Sequence, residues 1–283
     1  MTIKNMTHKL CMVTGATSGI GRETALALAK KGAHVIIVGR NKKKCIKTVN
    51  FIKKLTADCP IEFICADLSD LSQVRDAANQ FKLKYHKLDV LVNNAGGYFI
   101  TRQLSADGYE MNLALNYLSP FLLTLLLVDM LKLSEQGRVI NVSSLAHERA
   151  EINFNDLQST HDFVGFNAYA QSKLAIILFT YELARRLKGT NVSVNALHPG
   201  LVASNFGMNN GLIRFYVRRL LKRGEITPEE GAKTAIYLAS SQALNHCTGA
   251  YYINEKKTDS SPVSYDLSVA NNLWNISKEF VGI

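Results

Sequence analysis

Short runs of apolar, often β-branched residues alternate along the chain with longer segments in which apolar residues recur every three or four positions. The short runs are mostly apolar throughout, which is typical of parallel strands that are buried on both faces. The longer segments have the periodicity of amphipathic helices, and the repeated strand–helix–strand order predicts a doubly wound α/β sheet with right-handed crossovers. The predicted strands are Leu10–Thr14, Val35–Val38, Glu62–Ala66, Val90–Asn93, Arg138–Val142, Val192–Ala196 and Ala250–Ile253, and the predicted helices are Arg22–Lys31, Lys42–Leu55, Leu71–Leu83 and Leu174–Leu187, with a buried apolar helix over Leu118–Leu133.

The composition indicates one globular domain over residues 1–283. The chain is 47% hydrophobic and 20% charged, and no repeat, low-complexity tract or Gly/Ser/Pro-rich linker divides it. The formal net charge of +10 favours anionic partners, although nucleic acid, acidic lipid and a phosphorylated cofactor all fit that charge.

The cysteines and the N-terminus indicate a reducing compartment. The five cysteines form no C-x-x-C pair and no Cys/His cluster with zinc spacing. The first ten residues, MTIKNMTHKL, contain no apolar run, so neither a secretory signal nor a membrane anchor is expected. We therefore expect reduced thiols, no metal site and a cytoplasmic location.

A glycine-rich turn directly follows the first predicted strand. Its sequence, Thr14–Thr24, has the spacing G-x-x-x-G-x-G and leads into an Ala- and Leu-rich helix. Glycines let a backbone turn sharply and approach a pyrophosphate, and the positive end of the helix dipole faces the same anion. An ordinary glycine-rich turn is the alternative interpretation. Because the turn lies at the first strand–helix junction of a βαβ pattern, we predict a Rossmann-type sheet that binds a dinucleotide.

The end of the second predicted strand indicates which dinucleotide is bound. An acid at this point would accept hydrogen bonds from the adenosine ribose and repel a 2′-phosphate, but the sequence has Arg40 and no acid. A guanidinium can bind a phosphate with two hydrogen bonds, and Arg22 in the glycine-rich turn could reach the same group. The three lysines Lys42–Lys44 are interpreted as solvent-exposed residues at the beginning of a helix. We therefore predict NADP(H) rather than NAD(H).

A Tyr-x-x-x-Lys pair supplies candidate acid–base chemistry. Tyr169 and Lys173 lie four residues apart in a helical pattern and so share one face. A nearby ammonium favours the phenolate, so we expect Lys173 to lower the pKa of Tyr169. Tyr252 and Lys256 have the same spacing but start in a strand pattern, and we interpret that copy as structural.

These motifs together resemble the short-chain dehydrogenase/reductase family, and the resemblance extends from Leu10 to about Ile253. Within that family, the motifs look most like those of the retinol dehydrogenase-like branch. The long interval between Ser144 and Tyr169 is also typical of that branch. The motifs that carry it, in order, are Thr14–Gly21, Asn93-Asn94-Ala95-Gly96, Asn116, Asn141-Val142-Ser143-Ser144-Leu145-Ala146-His147, Tyr169-Ala170-Gln171-Ser172-Lys173 and His198-Pro199-Gly200.

The resemblance implies roles for four residues in a hydride transfer. Tyr169 would protonate the developing alkoxide, and Lys173 would hold the nicotinamide ribose. Ser144 would donate to the carbonyl oxygen. Ser143 is the alternative candidate for that role. Asn116 would hold a water in a proton relay, the alternative being a buried amide that binds backbone.

None of the seven histidines has a base-and-nucleophile context, and His147 is interpreted as a residue at the rim of the pocket and not as a catalyst. The resemblance also implies the cofactor contacts. The adenine-binding acid and its neighbour would be Asp67 and Leu68. The implied cofactor contacts are Gly15, Thr17, Ser18, Gly19, Ile20, Gly21, Arg22, Arg40, Asp67, Leu68, Asn94, Ala95, Gly96, Tyr169, Lys173, Pro199, Gly200, Val202 and Ser204, the last standing where the family usually has Thr.

The irregular segment 203–225 is predicted to cover the substrate pocket. Its basic, amphipathic part, residues 211–223, is interpreted first as a lid helix and second as a site of weak peripheral membrane contact. A small lipophilic alcohol or carbonyl substrate and self-association are implied by the resemblance only.

The sequence thus favours an NADP(H)-dependent oxidoreductase that interconverts a lipophilic alcohol and its aldehyde or ketone. A catalytically idle NADP(H)-binding sensor or scaffold is the alternative. It is disfavoured because cofactor binding alone does not require Asn116, Ser144, Tyr169 and Lys173 together. Nucleic-acid binding rests on the net charge alone, since no aromatic–basic recognition motif is present, and it is not expected.

Overall fold

In the computed structural model, which describes residues 5–56, 59–201 and 226–283, the apolar runs form one sheet of eight strands. The spatial order is β3-β2-β1-β4-β5-β6-β7-β8. Strands β1 to β7 are parallel, and β8 pairs antiparallel with β7. The strands are β1 Leu10–Thr14, β2 His34–Gly39, β3 Ile61–Cys65, β4 Val90–Asn93, β5 Gly137–Val142, β6 Val192–His198, β7 Ala250–Ile253 and β8 Lys256–Thr258. The predicted doubly wound α/β sheet is confirmed.

The eighth strand was not predicted. All three residues of β8 are exposed at the edge of the sheet, and Lys256–Thr258 has no apolar residue to give a pattern. Tyr252 lies in β7 and Lys256 in β8, on the two arms of this hairpin. The second Tyr-x-x-x-Lys copy therefore lies outside any helix, as predicted.

Helices cover both faces of the sheet. Met12 and Ile36 belong to an apolar cluster shared with α3, α4, α5 and α7, whereas Val13 and Ile37 belong to a cluster shared with α1, α2 and α6. Successive strand residues point to opposite faces, so burial on both faces explains why the strands are apolar throughout. The helices of the described residues are α1 Gly19–Lys30, α2 Lys42–Leu55, α3 Leu71–Lys84, α4 Met111–Lys132, α5 Gly165–Arg186, α6 Pro228–Ser240 and α7 Leu267–Val281.

Helix α4 is apolar and contains a π-helical turn. The turn spans Ala114–Leu118 and holds Asn116. Among the described residues, α4 alone is long and apolar enough to cross a membrane, but 72% of its most apolar window is buried inside the protein. That burial agrees with the predicted core helix.

The strand order fixes where a ligand can bind. The chain leaves β1 towards β2 and β3 on one side and continues from β4 on the other, so the order reverses between β1 and β4. A crevice forms at the carboxyl ends of the strands at such a switch point. The predicted lid, residues 203–225, lies outside the described residues.

Candidate active site

The ends of β1 and β4 are joined by one buried threonine. The Thr14 hydroxyl accepts hydrogen bonds from the backbone N–H groups of Asn94 (3.0 Å) and Ala95 (2.9 Å), and it donates to the Val92 carbonyl (3.3 Å). The Asn94 side chain donates in turn to the Thr14 carbonyl at 2.8 Å. The switch-point crevice therefore has a rigid floor, and sequence reasoning did not assign Thr14 this role.

The glycine-rich turn lies against this floor. Gly15 has φ +65°, and a Cβ there would lie 2.8 Å from the Ala95 Cα, so only glycine fits. Helix α1 begins at Gly19, and among the described residues no side chain caps its N-terminus and no acid occupies its first turn. Its first N–H groups are thus available to an anion. The predicted pyrophosphate contacts Gly15, Thr17, Ser18, Gly19, Ile20, Gly21 and Arg22 make up this turn.

The two arginines predicted to bind the 2′-phosphate have different surroundings. Arg22 forms an ion pair with the buried Glu23 at 2.7 Å and lies over the Phe51 ring, 5.3 Å from its centroid. Arg40 is exposed directly after β2, and no hydrogen bond or ion pair of its guanidinium is found in the described parts of the chain. Arg40 is therefore the freer cation of the two.

Asp67 and Leu68 follow the adjacent strand, β3. The Asp67 carboxylate accepts hydrogen bonds from the Ser69 backbone N–H (3.0 Å) and hydroxyl (2.7 Å). Leu68 is buried. Because Gly39 pairs with Cys65 in the sheet, the β3 end lies beside the β2 end that carries Arg40.

Helix α5 brings the predicted acid–base groups together. Tyr169 and Lys173 are both buried on its inner face, and the Lys173 Nζ lies 5.7 Å from the centroid of the Tyr169 ring. The side chain of Ser144 interacts with the Tyr169 phenol and lowers its pKa. The Lys173 ammonium donates to the Val142 carbonyl at the end of β5, at 3.0 Å. A phenol, an amine and a hydroxyl therefore meet at the carboxyl edge of the sheet.

The two neighbouring serines have separate surroundings. The Ser143 hydroxyl donates to the Lys173 carbonyl at 2.7 Å and is buried. The Ser144 hydroxyl faces Tyr169 and also accepts a hydrogen bond from the Ala146 N–H at 3.2 Å. The geometry therefore favours Ser144 over Ser143 as the hydroxyl that meets a substrate oxygen.

The predicted direction of the Tyr169 pKa shift is wrong for the protein by itself. Burial raises the pKa of Tyr169 to about 12, and the Ser144 hydrogen bond offsets only part of that rise. Burial also lowers the pKa of Lys173 from 10.5 to about 8. The charged form of each group is destabilised because little water reaches either one.

Asn116 is held by backbone on the opposite wall. Its Oδ1 accepts from the Gly97 N–H at 2.8 Å, and its Nδ2 donates to the Gly97 carbonyl (3.0 Å) and the Ser172 hydroxyl (3.0 Å). A Cβ on Gly96 would lie 2.9 Å from the Asn116 Oδ1 and 3.5 Å from the Lys173 Nζ. These are the contacts of a buried amide that fixes the Asn94–Gly97 loop, and the water-relay role stays a prediction.

Two side chains differ from what the sequence indicated: His147 in its burial and Tyr98 in its contact with Tyr169. His147 is fully buried and not a rim residue, because its ring is enclosed by hydrogen bonds to backbone on both sides. Tyr98 was missed: its ring packs on Tyr169 with centroids 5.2 Å apart. The signal available for Tyr98 was its position two residues after Gly96.

The end of β6 supplies the last predicted contacts. Pro199 and Gly200 directly follow this strand and are partly exposed. Val202 and Ser204 lie outside the described residues. The carboxyl edge of the sheet thus carries predicted site residues after β1, β2, β3, β4, β5 and β6.

Comparisons with known proteins agree with this arrangement. The sequence profile of the short chain dehydrogenase family matches residues 9–212. Polyprenol dehydrogenase of Homo sapiens is 41% identical over 286 residues, covering 97% of this chain and 86% of its own. Retinol dehydrogenase 12 of Homo sapiens is 40% identical over 275 residues, covering 97% of this chain and 87% of its own.

A solved structure extends the likeness to the whole fold. An uncharacterized protein from Mycobacterium paratuberculosis superposes with a TM-score of 0.81 at 30% identity, covering 98% of this chain and 95% of its own. Both the sequence match and the superposition span the switch-point crevice and the Ser144–Tyr169–Lys173 group. The chain therefore belongs to the short-chain dehydrogenase/reductase family, in its retinol dehydrogenase-like branch, and with it to the enzymes that bind a nicotinamide dinucleotide and interconvert alcohols and carbonyl compounds.

Proposed function

We propose that this protein is an NADP(H)-dependent oxidoreductase that interconverts a lipophilic alcohol and its aldehyde or ketone, with Tyr169 as the acid and base. The observation that carries the proposal is the buried group at the carboxyl edge of the sheet. In it the Tyr169 side chain interacts with that of Ser144, and the Lys173 Nζ lies 5.7 Å from the centroid of the Tyr169 ring.

In this group the protein's own residues hold and move one proton. With its pKa raised to about 12, Tyr169 is protonated at neutral pH and can donate to a carbonyl oxygen that gains negative charge. Ser144 donates a second hydrogen bond to that oxygen. Lys173, with a pKa of about 8, exchanges a proton near neutral pH and replenishes the phenol. Reversing these steps makes the Tyr169 phenolate the base for alcohol oxidation.

The residues present fit a nicotinamide dinucleotide, which supplies or accepts the hydride when it is bound. The turn Gly15–Gly21 and the uncapped start of α1 would hold its pyrophosphate. Gly96 keeps the wall beside Lys173 and Asn116 open, because a Cβ there would lie 2.9 Å from the Asn116 Oδ1. The ammonium of Lys173 would hold the nicotinamide ribose.

The choice of NADP(H) over NAD(H) rests on Arg40. It stands alone after β2, where an acid would bind the ribose of NAD(H), and its guanidinium has no partner among the described residues. A phosphate takes two hydrogen bonds from such a group. Arg22 is already paired with Glu23, so we expect Arg40 to make the main contact with this phosphate.

The choice of a lipophilic substrate rests on the surroundings of the site. Leu145, Phe166 and Leu201 are all exposed, and each lies within three residues of a predicted site residue. Exposed apolar side chains near a polar centre are typical of a site that takes an apolar ligand. The relatives named polyprenol dehydrogenase and retinol dehydrogenase 12 support the same class.

The proposal is tested by following NADPH oxidation with a panel of long-chain and cyclic aldehydes and ketones. We expect turnover in the wild type and a loss of about a hundredfold to ten-thousandfold in Tyr169→Phe, as for other removed acid–base groups. NADPH binding, measured by its fluorescence, should persist in the variant because the phosphate contacts are untouched.

Tyr252→Phe is the matched control, because Tyr252 has the same spacing to a lysine but lies on the β7–β8 hairpin. It should turn over at the wild-type rate. Equal rates for Tyr169→Phe and the wild type would refute the proposed role of Tyr169. Tight NADPH binding without turnover of any compound in the panel would support the idle sensor instead.

A further inference from the structure

Two histidines that the proposed chemistry does not use are buried beside the site. His147 is 0% exposed and lies in the 3₁₀ turn Leu145–Arg149, directly after Ser144. His198 is 6% exposed and is the last residue of β6. Buried imidazoles are uncommon without a hydrogen-bonding role, so their contacts identify what they do.

Both rings bind the same peptide unit, the one that joins Ser144 to Leu145. The His147 Nδ1 lies 2.7 Å from the carbonyl oxygen of Ser144. The backbone N–H of Leu145 donates to the His198 Nδ1 at 3.3 Å. One imidazole thus holds each end of this single peptide group, and we call the pair the histidine clamp.

The contacts fix opposite tautomers for the two neutral rings. The Ser261 N–H donates to the His147 Nε2 at 3.1 Å, so that nitrogen is an acceptor and the proton sits on Nδ1, which donates to the Ser144 carbonyl. His198 accepts at Nδ1 and therefore carries its proton on Nε2. Protonating either ring would place an N–H against a backbone N–H.

The electrostatics keep both rings neutral. Burial, together with a smaller effect of the neighbouring His147, lowers the pKa of His198 to about 4. Burial also lowers the pKa of His147, against smaller opposing effects of the Ser144 carbonyl and of Glu148. Neutral rings are the form that the clamp requires.

The clamp connects three parts of the molecule. Through Ser261 it reaches the segment that follows β8, and Ser260 of that segment is hydrogen-bonded to Tyr181 of α5 at 2.7 Å. The Ser144 turn, the β6 end and the catalytic helix are therefore held in one network. The Ser144 Cα, from which its side chain starts, is bonded directly to this peptide, so holding the peptide in place restricts the position of that side chain.

We propose that His147 and His198 are positioning residues that fix the Ser144 hydroxyl against Tyr169 by holding both ends of the Ser144–Leu145 peptide. Neither ring touches the reacting atoms in this proposal. It rests on the proposed function, because it assigns the clamp to the same reaction.

The first test compares two substitutions of His198. The Oδ1 of Asn takes the place of the Nδ1 acceptor, so His198→Asn keeps the bond to the Leu145 N–H, whereas His198→Leu removes it. We expect kcat to fall about tenfold to a hundredfold in His198→Leu, as for a misplaced catalytic group, with the Kd for NADPH unchanged. His198→Asn should recover most of kcat.

The second test makes the same comparison at His147. His147→Asn retains a side-chain donor for the Ser144 carbonyl through its Nδ2, whereas His147→Leu leaves that carbonyl only the backbone N–H of residue 147, at 3.2 Å. His147→Asn should therefore have the higher kcat of the two. His246→Leu replaces an exposed histidine and is the matched control, for which we expect the wild-type kcat.

Three outcomes would overturn the clamp. A folded His198→Leu with the wild-type kcat would do so, as would a His198→Asn that loses as much kcat as His198→Leu. If a leucine variant does not fold, the ¹⁵N shifts of the imidazoles in the wild-type protein decide. We expect the proton on Nδ1 of His147 and on Nε2 of His198 at neutral pH, and either opposite tautomer refutes the clamp.

The failures of the two proposals are distinguishable. If the wild type has the expected tautomers and binds NADPH but reduces no carbonyl compound, the proposed function fails and the hydrogen-bonded clamp stands. If the wild type turns over and the histidine variants do so equally well, the clamp fails and the proposed function stands.

Discussion

At the scale of single residues, burial acts in opposite directions on the two titratable groups at the centre of the site. It raises the pKa of Tyr169 to about 12 and lowers that of Lys173 to about 8. Both shifts mean that a charged form is disfavoured in the folded protein, and such costs are typical of groups kept for function. At neutral pH only the Lys173 shift lowers the stability of the fold, because the Tyr169 phenol is neutral in both the folded and the unfolded protein.

We predict that Lys173→Met stabilises the protein at pH 7 while it abolishes turnover. A pKa lowered from 10.5 to about 8 corresponds to a cost of about 3 kcal/mol for holding the ammonium in the folded state. Methionine fills a similar volume without the charge, so we expect the free energy of unfolding to rise by about 1 to 3 kcal/mol. Urea denaturation measures this difference.

The stability difference should depend on pH in a defined direction. The folded lysine loses its proton near pH 8, while the unfolded lysine keeps it to about 10.5, so the cost is complete below pH 8 and declines between these values. The advantage of Lys173→Met over the wild type should therefore shrink from pH 7 to pH 10. An advantage that stays constant, or grows, would contradict the assigned shift.

Separate substitutions of Ser144 and Ser143 distinguish an effect on catalysis from an effect on stability. Ser144→Ala removes the hydroxyl that meets Tyr169, so we expect kcat to fall about a hundredfold to a thousandfold with little change in stability. Ser143→Ala removes a buried hydrogen bond to the Lys173 carbonyl, which should lower the free energy of unfolding by about 1 kcal/mol. Its kcat should fall far less than that of Ser144→Ala. Carbonyl reduction rates and thermal melts of both variants check this, and equal losses of kcat would contradict it.

At the scale of elements, the β1–β4 junction depends on the Thr14 hydroxyl. Thr14→Val keeps the shape of the side chain but leaves the N–H groups of Asn94 and Ala95 without their acceptor. An unsatisfied buried donor costs about 1 to 3 kcal/mol, so we expect a lower free energy of unfolding and weaker NADPH binding. Thr14→Ser keeps the hydroxyl and is the control. If Thr14→Val and Thr14→Ser bind NADPH equally, the junction does not shape the cofactor site.

The apolar strands could be predicted because parallel strands in the centre of a sheet have to be apolar on both faces. The bounds of β1, β4 and β7 agree with the predicted runs, and those of α2 agree as well. The edge strand β8 could not be recognised in the sequence, because its three residues are exposed and polar and so form no apolar pattern. Helix α5 begins at Gly165, nine residues before the amphipathic run Leu174–Leu187, because its first turns carry the polar side chains of the site and not an apolar stripe.

The proximity of three candidate site residues could be predicted, but their electrostatics and supports could not. Tyr169, Ser144 and Lys173 come together as the motifs indicated. The raised pKa of Tyr169 depends on how much water reaches the phenol, which spacing in the sequence does not encode. The burial of His147 depends on Ser261, which is 114 residues away in the chain.

At the scale of the whole molecule, positive charge is concentrated near the proposed adenosine end of the cofactor site. Helix α2 starts two residues after Arg40 and carries six lysines and no acid. In the described residues none of these lysines forms an ion pair. Such a surface attracts anions before contact and favours the more highly charged of two ligands.

We predict that Arg40→Ala lowers the preference for NADPH over NADH about tenfold to a hundredfold, measured as the ratio of kcat/KM values for the two cofactors. A hydrogen-bonded contact between a guanidinium and a phosphate contributes enough binding free energy to account for this change in the ratio. NADH has no 2′-phosphate, so its binding should not weaken in the variant. Lys43→Ala, on the exposed start of α2, removes the same charge without the contact and should change the ratio far less. Added salt should raise the KM for NADPH more than that for NADH, because only the former carries the extra phosphate. A ratio that Arg40→Ala leaves unchanged would remove the basis for NADP(H) selectivity.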